Sequence, residues 1–184
     1  MIVIVSLSIL SGLWISDLLD EMDRASHPRD YSEFVSKYSD EYGVPEYIIY
    51  AVIKAESGFD SSALSSDGAI GLMQIMPSTF KWMTDINDES YETGMLYDPE
   101  TNIKYGTYYL QYLYQRYSRW PTVFAAYNAG PEAVDGWLMD GKYSRDGMSL
   151  DNIPYEETRG YVSAVERAAD VYQRLYPANS VNTK

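Results

Sequence analysis

Apolar positions recur every three or four residues along most of this chain, and almost nowhere do they alternate with polar ones. A 3-4 repeat lines up one face of a helix, whereas a half-buried strand needs a repeat of two. Asp30 stands where it caps a helix through Phe34, Val35, Tyr38 and Tyr42, which Gly43 stops. Pro45 then opens a second helix, since proline suits a first turn. From Tyr47 to Glu56 that helix is apolar on nearly every side, broken only by Lys54 before its terminal carboxylate. Such a pattern predicts a helix enclosed by the fold. Residues 57–71, rich in Ser, Gly and Asp, read as a loop. Pro77 starts a short helix with Phe80, Trp82 and Met83, and residues 84–97 read as irregular. Asp98-Pro99 marks a further start, followed by Ile103, Gly106, Leu110, Leu113, Tyr114 and Tyr117 at helical spacing. Pro121 opens a helix through Val123, Phe124 and Tyr127 that Gly130 closes, and Pro131 begins another. Residues 140–153 read as a loop, and a last helix runs from about Tyr155 to Leu175. The expected fold class is all-α, or α with a minimal β element, over residues 30–177, ahead of a polar tail at 178–184.

The two ends of the chain read differently. Residues 1–16 carry no charged side chain. They are short of the roughly 20 apolar residues of a spanning helix. They also lack a basic leading region and a clear cleavage site. The segment reads as the end of a signal anchor, the other reading being a buried N-terminal helix or a start inside a longer protein. The acidic run Asp17, Asp20, Glu21 and Asp23 fits a segment held outside the membrane, and residues 17–29 read as a polar spacer.

Composition narrows the chemistry. At 184 residues the chain suits one domain with a proper core. The net charge of −13 argues against nucleic acid, because phosphate contacts need clustered Lys and Arg. A polyanionic substrate must therefore be held by local contacts against the overall field. With no cysteine there is no disulfide, thiol nucleophile or Cys-based zinc site. The only histidine, His27, lies in a polar stretch, so a Ser-His-Asp mechanism is not supported. Asp85 to Glu89 suggests a calcium loop, but its sixth position is Ser90 and its twelfth Leu96, not Gly and Glu. No metal or cofactor is expected. Tyrosine, at 19 residues, mostly fills amphipathic faces, and some rings suit a groove for sugars.

Glu56 is the candidate acid. Burial raises a carboxyl pKa, and the negative end of a helix dipole acts in the same direction. A carboxylate there departs from stability design, although the residue alone reads equally as a solvated last-turn side chain. Ser57 is placed to bond nearby backbone, Gly68 and Gly71 let the loop approach, and Gln74 offers a donor and an acceptor to a sugar. Asp60 and Asp67 lie in the same loop and read as solvated charges, so no second carboxylate is nominated.

In order along the chain, Glu56-Ser57, Gly71-Leu72-Met73-Gln74, Ala126-Tyr127-Asn128 with Ala129-Gly130-Pro131, then Glu157-Thr158 and Tyr161 closely resemble the soluble lytic transglycosylase domain of the lysozyme-like superfamily. The resemblance runs from about Pro45 to Tyr176. It implies a lysozyme-like catalytic domain with a glycan groove. It also implies cleavage of the β-1,4 bond between N-acetylmuramic acid and N-acetylglucosamine in peptidoglycan, giving 1,6-anhydromuramyl ends. Glu56 matches the family's acid/base. Ser65 matches a cleft serine, and Met73, Gln74 and Met76 match groove positions. Tyr127 and Asn128 match the pair beside the acid, and Glu157 and Tyr161 match late cleft positions. An extracytoplasmic, monomeric enzyme acting on glycan strands is expected, with residues 1–16 as the candidate membrane anchor. The alternatives are a hydrolytic muramidase on the same fold and a non-catalytic glycan-binding module.

Overall fold

The computed structural model describes residues 18–177. Their regular structure is helical: α1 (18–26), α2 (Ser32–Tyr42), α3 (Glu46–Glu56), α4 (Pro77–Asn87), a 3-10 turn (Thr93–Tyr97), α5 (Pro99–Tyr117), α6 (Trp120–Ala129), α7 (Pro131–Met139) and α8 (Glu156–Leu175). The only β features among these residues are isolated antiparallel bridges, Leu64 with Ile70 and Ile70 with Ile75. The all-α expectation therefore holds.

The central element is α3. Ile48, Ile49, Tyr50, Ala51, Val52 and Ile53 are all buried, consecutive residues covering every side of the helix. It packs most extensively against α8, whose inner stripe includes Val162, Val165, Ala168, Ala169 and Tyr172. Helix α6 lies between α8 and α5, and α2 covers the other side of α5. Punctuation read from sequence accounts for several ends. Asp98 accepts from the Thr101 amide at 2.8 Å and caps α5. Gly43, at φ 68°, closes α2.

Three readings need correction. Asp30 does not cap α2: Tyr31 holds that place in a left-handed conformation, with no side-chain cap. Residues 84–97 are not wholly irregular, since α4 continues to Asn87 and the 3-10 turn buries Leu96. Residues 17–29 are not a plain spacer, because 18–26 is helical and fastened to the domain. Arg174 pairs with both Asp20 and Asp23, Lys54 donates to the Ser26 carbonyl at 2.6 Å, and Tyr172 donates to the Pro28 carbonyl at 2.9 Å. The expectations for residues 1–16 and 178–184 lie outside the described residues. Among those described, no helix is long and apolar enough to cross a membrane.

Candidate active site

Helix α3 ends where Ser57 leaves helical geometry and Gly58 and Phe59 take positive φ. This puts Glu56 on the last turn, beside the C-terminal carbonyls and at the edge of the core. Burial pushes its carboxyl up to about 7, an effect partly offset by the Tyr161 hydroxyl. Tyr161 makes no well-formed hydrogen bond, and its oxygen is buried without a partner. Tyr127 donates its hydroxyl proton to the Met73 carbonyl at 2.7 Å. Both phenols are held well above their ordinary pKa, first by burial and then by the nearby Glu56 charge. Acid and phenols thus form one group, drawn from α3, α6 and α8.

The loop facing this group is built from its own polar atoms. Ser57 Oγ donates to the Leu72 carbonyl at 2.8 Å and accepts from the Phe59 amide at 3.1 Å. Ser65 Oγ accepts from the Ala69 amide at 2.9 Å, so it braces the loop. Gln74 Nε2 donates to the carbonyls of Gly71 and Ala63, at 2.9 and 3.3 Å. Its donor is committed to the loop, and the amide oxygen is the group left for a sugar. Gln74, Met76, Tyr127 and Asn128 line one cavity of about 280 Å³. A second, of about 340 Å³, adjoins it across Thr79, Tyr109, Pro131 and Glu132, extending the furrow to Trp82, Tyr112 and Arg116. Its wall is a run of rings: Tyr109 lies 5.4 Å from Tyr127 and 6.3 Å from Tyr112, and Tyr112 lies 4.8 Å from Trp82.

Two predicted site residues are placed otherwise. The Met73 side chain is fully buried, packed where Gly106 lacks a Cβ, so it does not line the furrow. Only its backbone reaches the site. Glu157 is exposed on the first turn of α8, and no described contact joins it to Glu56. Asp60 accepts from the amide and hydroxyl of Ser62, which ties it to its own turn. Sequence reading missed Asn102, Tyr109 and Trp82. Asn102 left one signal: it is a polar residue on the buried stripe of α5, beside Ile103 and Gly106.

A family model described as the transglycosylase SLT domain matches residues 33–147, which hold Glu56, the 68–76 loop and the Tyr127-Asn128 pair. The chain belongs to the transglycosylase SLT domain family. Glu157 and Tyr161 lie beyond the matched stretch. The chain is 38% identical over 177 residues to the soluble lytic murein transglycosylase of Escherichia coli K12, covering 94% of this chain and 26% of that protein. It is 34% identical to the membrane-bound lytic murein transglycosylase C of Edwardsiella ictaluri, covering 92% and 53%. A solved inactive mutant of the lytic transglycosylase Slt from Pseudomonas aeruginosa superposes with a TM-score of 0.74 at 31% identity, over 82% of this chain and 25% of that one. The 70-kDa soluble lytic transglycosylase of Escherichia coli gives 0.72 at 34%, over 83% and 25%. This SLT domain thus spans only part of the length of the relatives it matches.

Proposed function

We propose that the chain is a peptidoglycan lytic transglycosylase that uses Glu56 first as acid and then as base. The observation that carries this reading is the Glu56 carboxyl, raised by burial to about 7 and close to Tyr127, a phenol that lines the ring-walled furrow. Neutral Glu56 gives its proton to the glycosidic oxygen as the bond from muramic acid C1 breaks. The sugar's own N-acetyl carbonyl stabilises the positive C1. Ionised Glu56 then takes the proton of the C6 hydroxyl, whose oxygen closes onto C1. The products are a 1,6-anhydromuramyl end and a free GlcNAc 4-hydroxyl, with Glu56 again protonated. No water is consumed, so no second carboxylate is required, in contrast to paired-carboxylate hydrolases. Tyr127 and Asn128 orient the sugar beside the acid, and Gln74 offers its amide oxygen to an N–H or hydroxyl. The chain acts as a monomer outside the cytoplasm, where peptidoglycan lies.

The test is a digest of purified peptidoglycan read by mass spectrometry. Anhydro ends that resist borohydride support the proposal; reducible muramic acid ends in their place show a hydrolytic muramidase. Glu56→Gln is expected to release no muropeptides, and unchanged turnover in that variant removes Glu56 from the mechanism.

A further inference from the structure

The turn at residues 70–73 is where the elements carrying the site meet. Its backbone groups are satisfied by side chains from three different helices or helix ends. The Leu72 carbonyl accepts from Ser57, the residue after Glu56. The Met73 carbonyl accepts from Tyr127 on α6. The third of these side chains belongs to α5: Asn102, which has no exposed surface. Its Oδ1 accepts from the Met73 amide at 2.8 Å, and its Nδ2 donates to the Ile70 carbonyl at 2.9 Å and the Leu96 carbonyl at 2.7 Å. Both amide protons and one oxygen lone pair are thereby used. An asparagine inside a helix is no asset to the helix itself, so its place here answers to the turn.

The turn is also fitted to Asn102 sterically. Gly71 has φ +78°, and a Cβ there would lie 2.3 Å from Asn102 Nδ2 and 2.4 Å from the Leu96 oxygen. The two residues form a latch that neither alanine nor a longer side chain reproduces.

We propose that Asn102 is a positioning residue for the acid: by fixing the 70–73 turn it sets where Tyr127 and Ser57, and therefore Glu56, stand relative to one another. It touches neither substrate nor reacting atoms. This inference rests on the reading of Glu56 as the acid. It predicts a change in Glu56 itself when a residue of α5 is altered, which packing alone does not.

The experiment compares Asn102→Ala and Gly71→Ala, which open the latch from opposite sides, with Val35→Ala, a buried substitution on α2 away from the site. Each is studied as the full chain, well below its unfolding temperature. The Glu56 carboxyl is followed by carbon NMR titration, and kcat and KM are measured across pH. In both latch variants Glu56 is expected to titrate roughly one pH unit lower, because a loosened turn admits water. A fall in kcat of roughly tenfold is expected, with KM changed by less than about twofold. Val35→Ala is expected to lower the unfolding temperature while leaving the titration and kcat unchanged.

Asn102→Asp provides a variant that keeps the shape. As a neutral acid it retains an acceptor and one O–H donor, enough for one of the Ile70 and Leu96 carbonyls, and on ionising it loses that donor. Its turnover is expected to approach wild type at low pH and to fall away separately as the new carboxyl ionises. Should Glu56 titrate as in wild type in the latch variants, with kcat and its pH profile retained, the assignment is overturned. If the wild type leaves peptidoglycan intact, the functional reading fails, yet the NMR titration still decides the role of Asn102.

Discussion

Glu56 shows how one side chain serves function against stability. Its pKa rises from 4.5 to about 7 on folding, through burial. Between those values the unfolded carboxyl has lost its proton while the folded one keeps it. Stability therefore falls as pH rises across this window, and the full cost, about 3 kcal/mol as an upper figure, is present above it. Glu56→Gln removes the cost. The variant is expected to be more stable than wild type at pH 8, by several degrees in unfolding temperature, and to show no such gain at pH 4. Thermal unfolding at both pH values checks this. Activity has the same sign: only the protonated acid donates, so turnover is expected to decline as pH rises through about 7 in a kcat–pH profile. Sequence showed Glu56 because its warning is local, a carboxylate in a last turn where a cation would be favoured. Asn102 acts through residues about thirty positions earlier, and nothing near it in sequence announces them.

Among elements, the first turn of α5 does two jobs, holding its cap at Asp98 and carrying Asn102 to the 70–73 turn. Asp98 satisfies one of its free amides, accepting from the Thr101 backbone and hydroxyl at 2.8 Å each. Asp98→Ala is expected to cost about 1 kcal/mol in urea unfolding. The Glu56 titration is expected to stay as in wild type, because the substitution keeps the Asp98 carbonyl that accepts from the Asn102 amide at 2.9 Å. The start was legible, since Asp-Pro is a cap followed by a first-turn proline. The start of α2 was not, because Tyr31 adopts φ 60° where Asp30 was the better candidate by residue type. Loop residues were the hardest to read. Gly71-Leu72-Met73-Gln74 is recognisable as a string, but the string does not say which side chains turn inward. Met73 went into the core against Gly106, and Gln74 bonded its own loop with its amide nitrogen.

At the scale of the molecule, α1 is held by several small contacts. Besides Arg174, Lys54 and Tyr172, the Tyr176 hydroxyl donates to the His27 carbonyl at 3.2 Å, and the Arg29 guanidinium stands 5.0 Å from the Tyr176 ring. Exposed ion pairs are worth little singly. Arg174→Ala removes two of them together. Amide exchange of residues 18–28 is expected to quicken roughly two- to fivefold, with α3 and the core of α8 unaffected. Hydrogen-exchange mass spectrometry reads this directly. The clasp escaped sequence reading because Asp20 and Asp23 are paired with a residue some 150 positions away, near the other end of the described chain.

The helical period, the proline and glycine punctuation, the enclosed α3 and the carboxylate at its end were set by the sequence alone. Each depends on neighbours within one or two turns, where backbone geometry dictates which side chains meet. Tertiary structure decided what those elements enclose: the latch of Asn102 on Gly71, the phenols of Tyr127 and Tyr161 around Glu56, the ring-lined furrow and the docking of α1. These contacts join distant residues, and which polar groups pair there is determined only when the core excludes water from them.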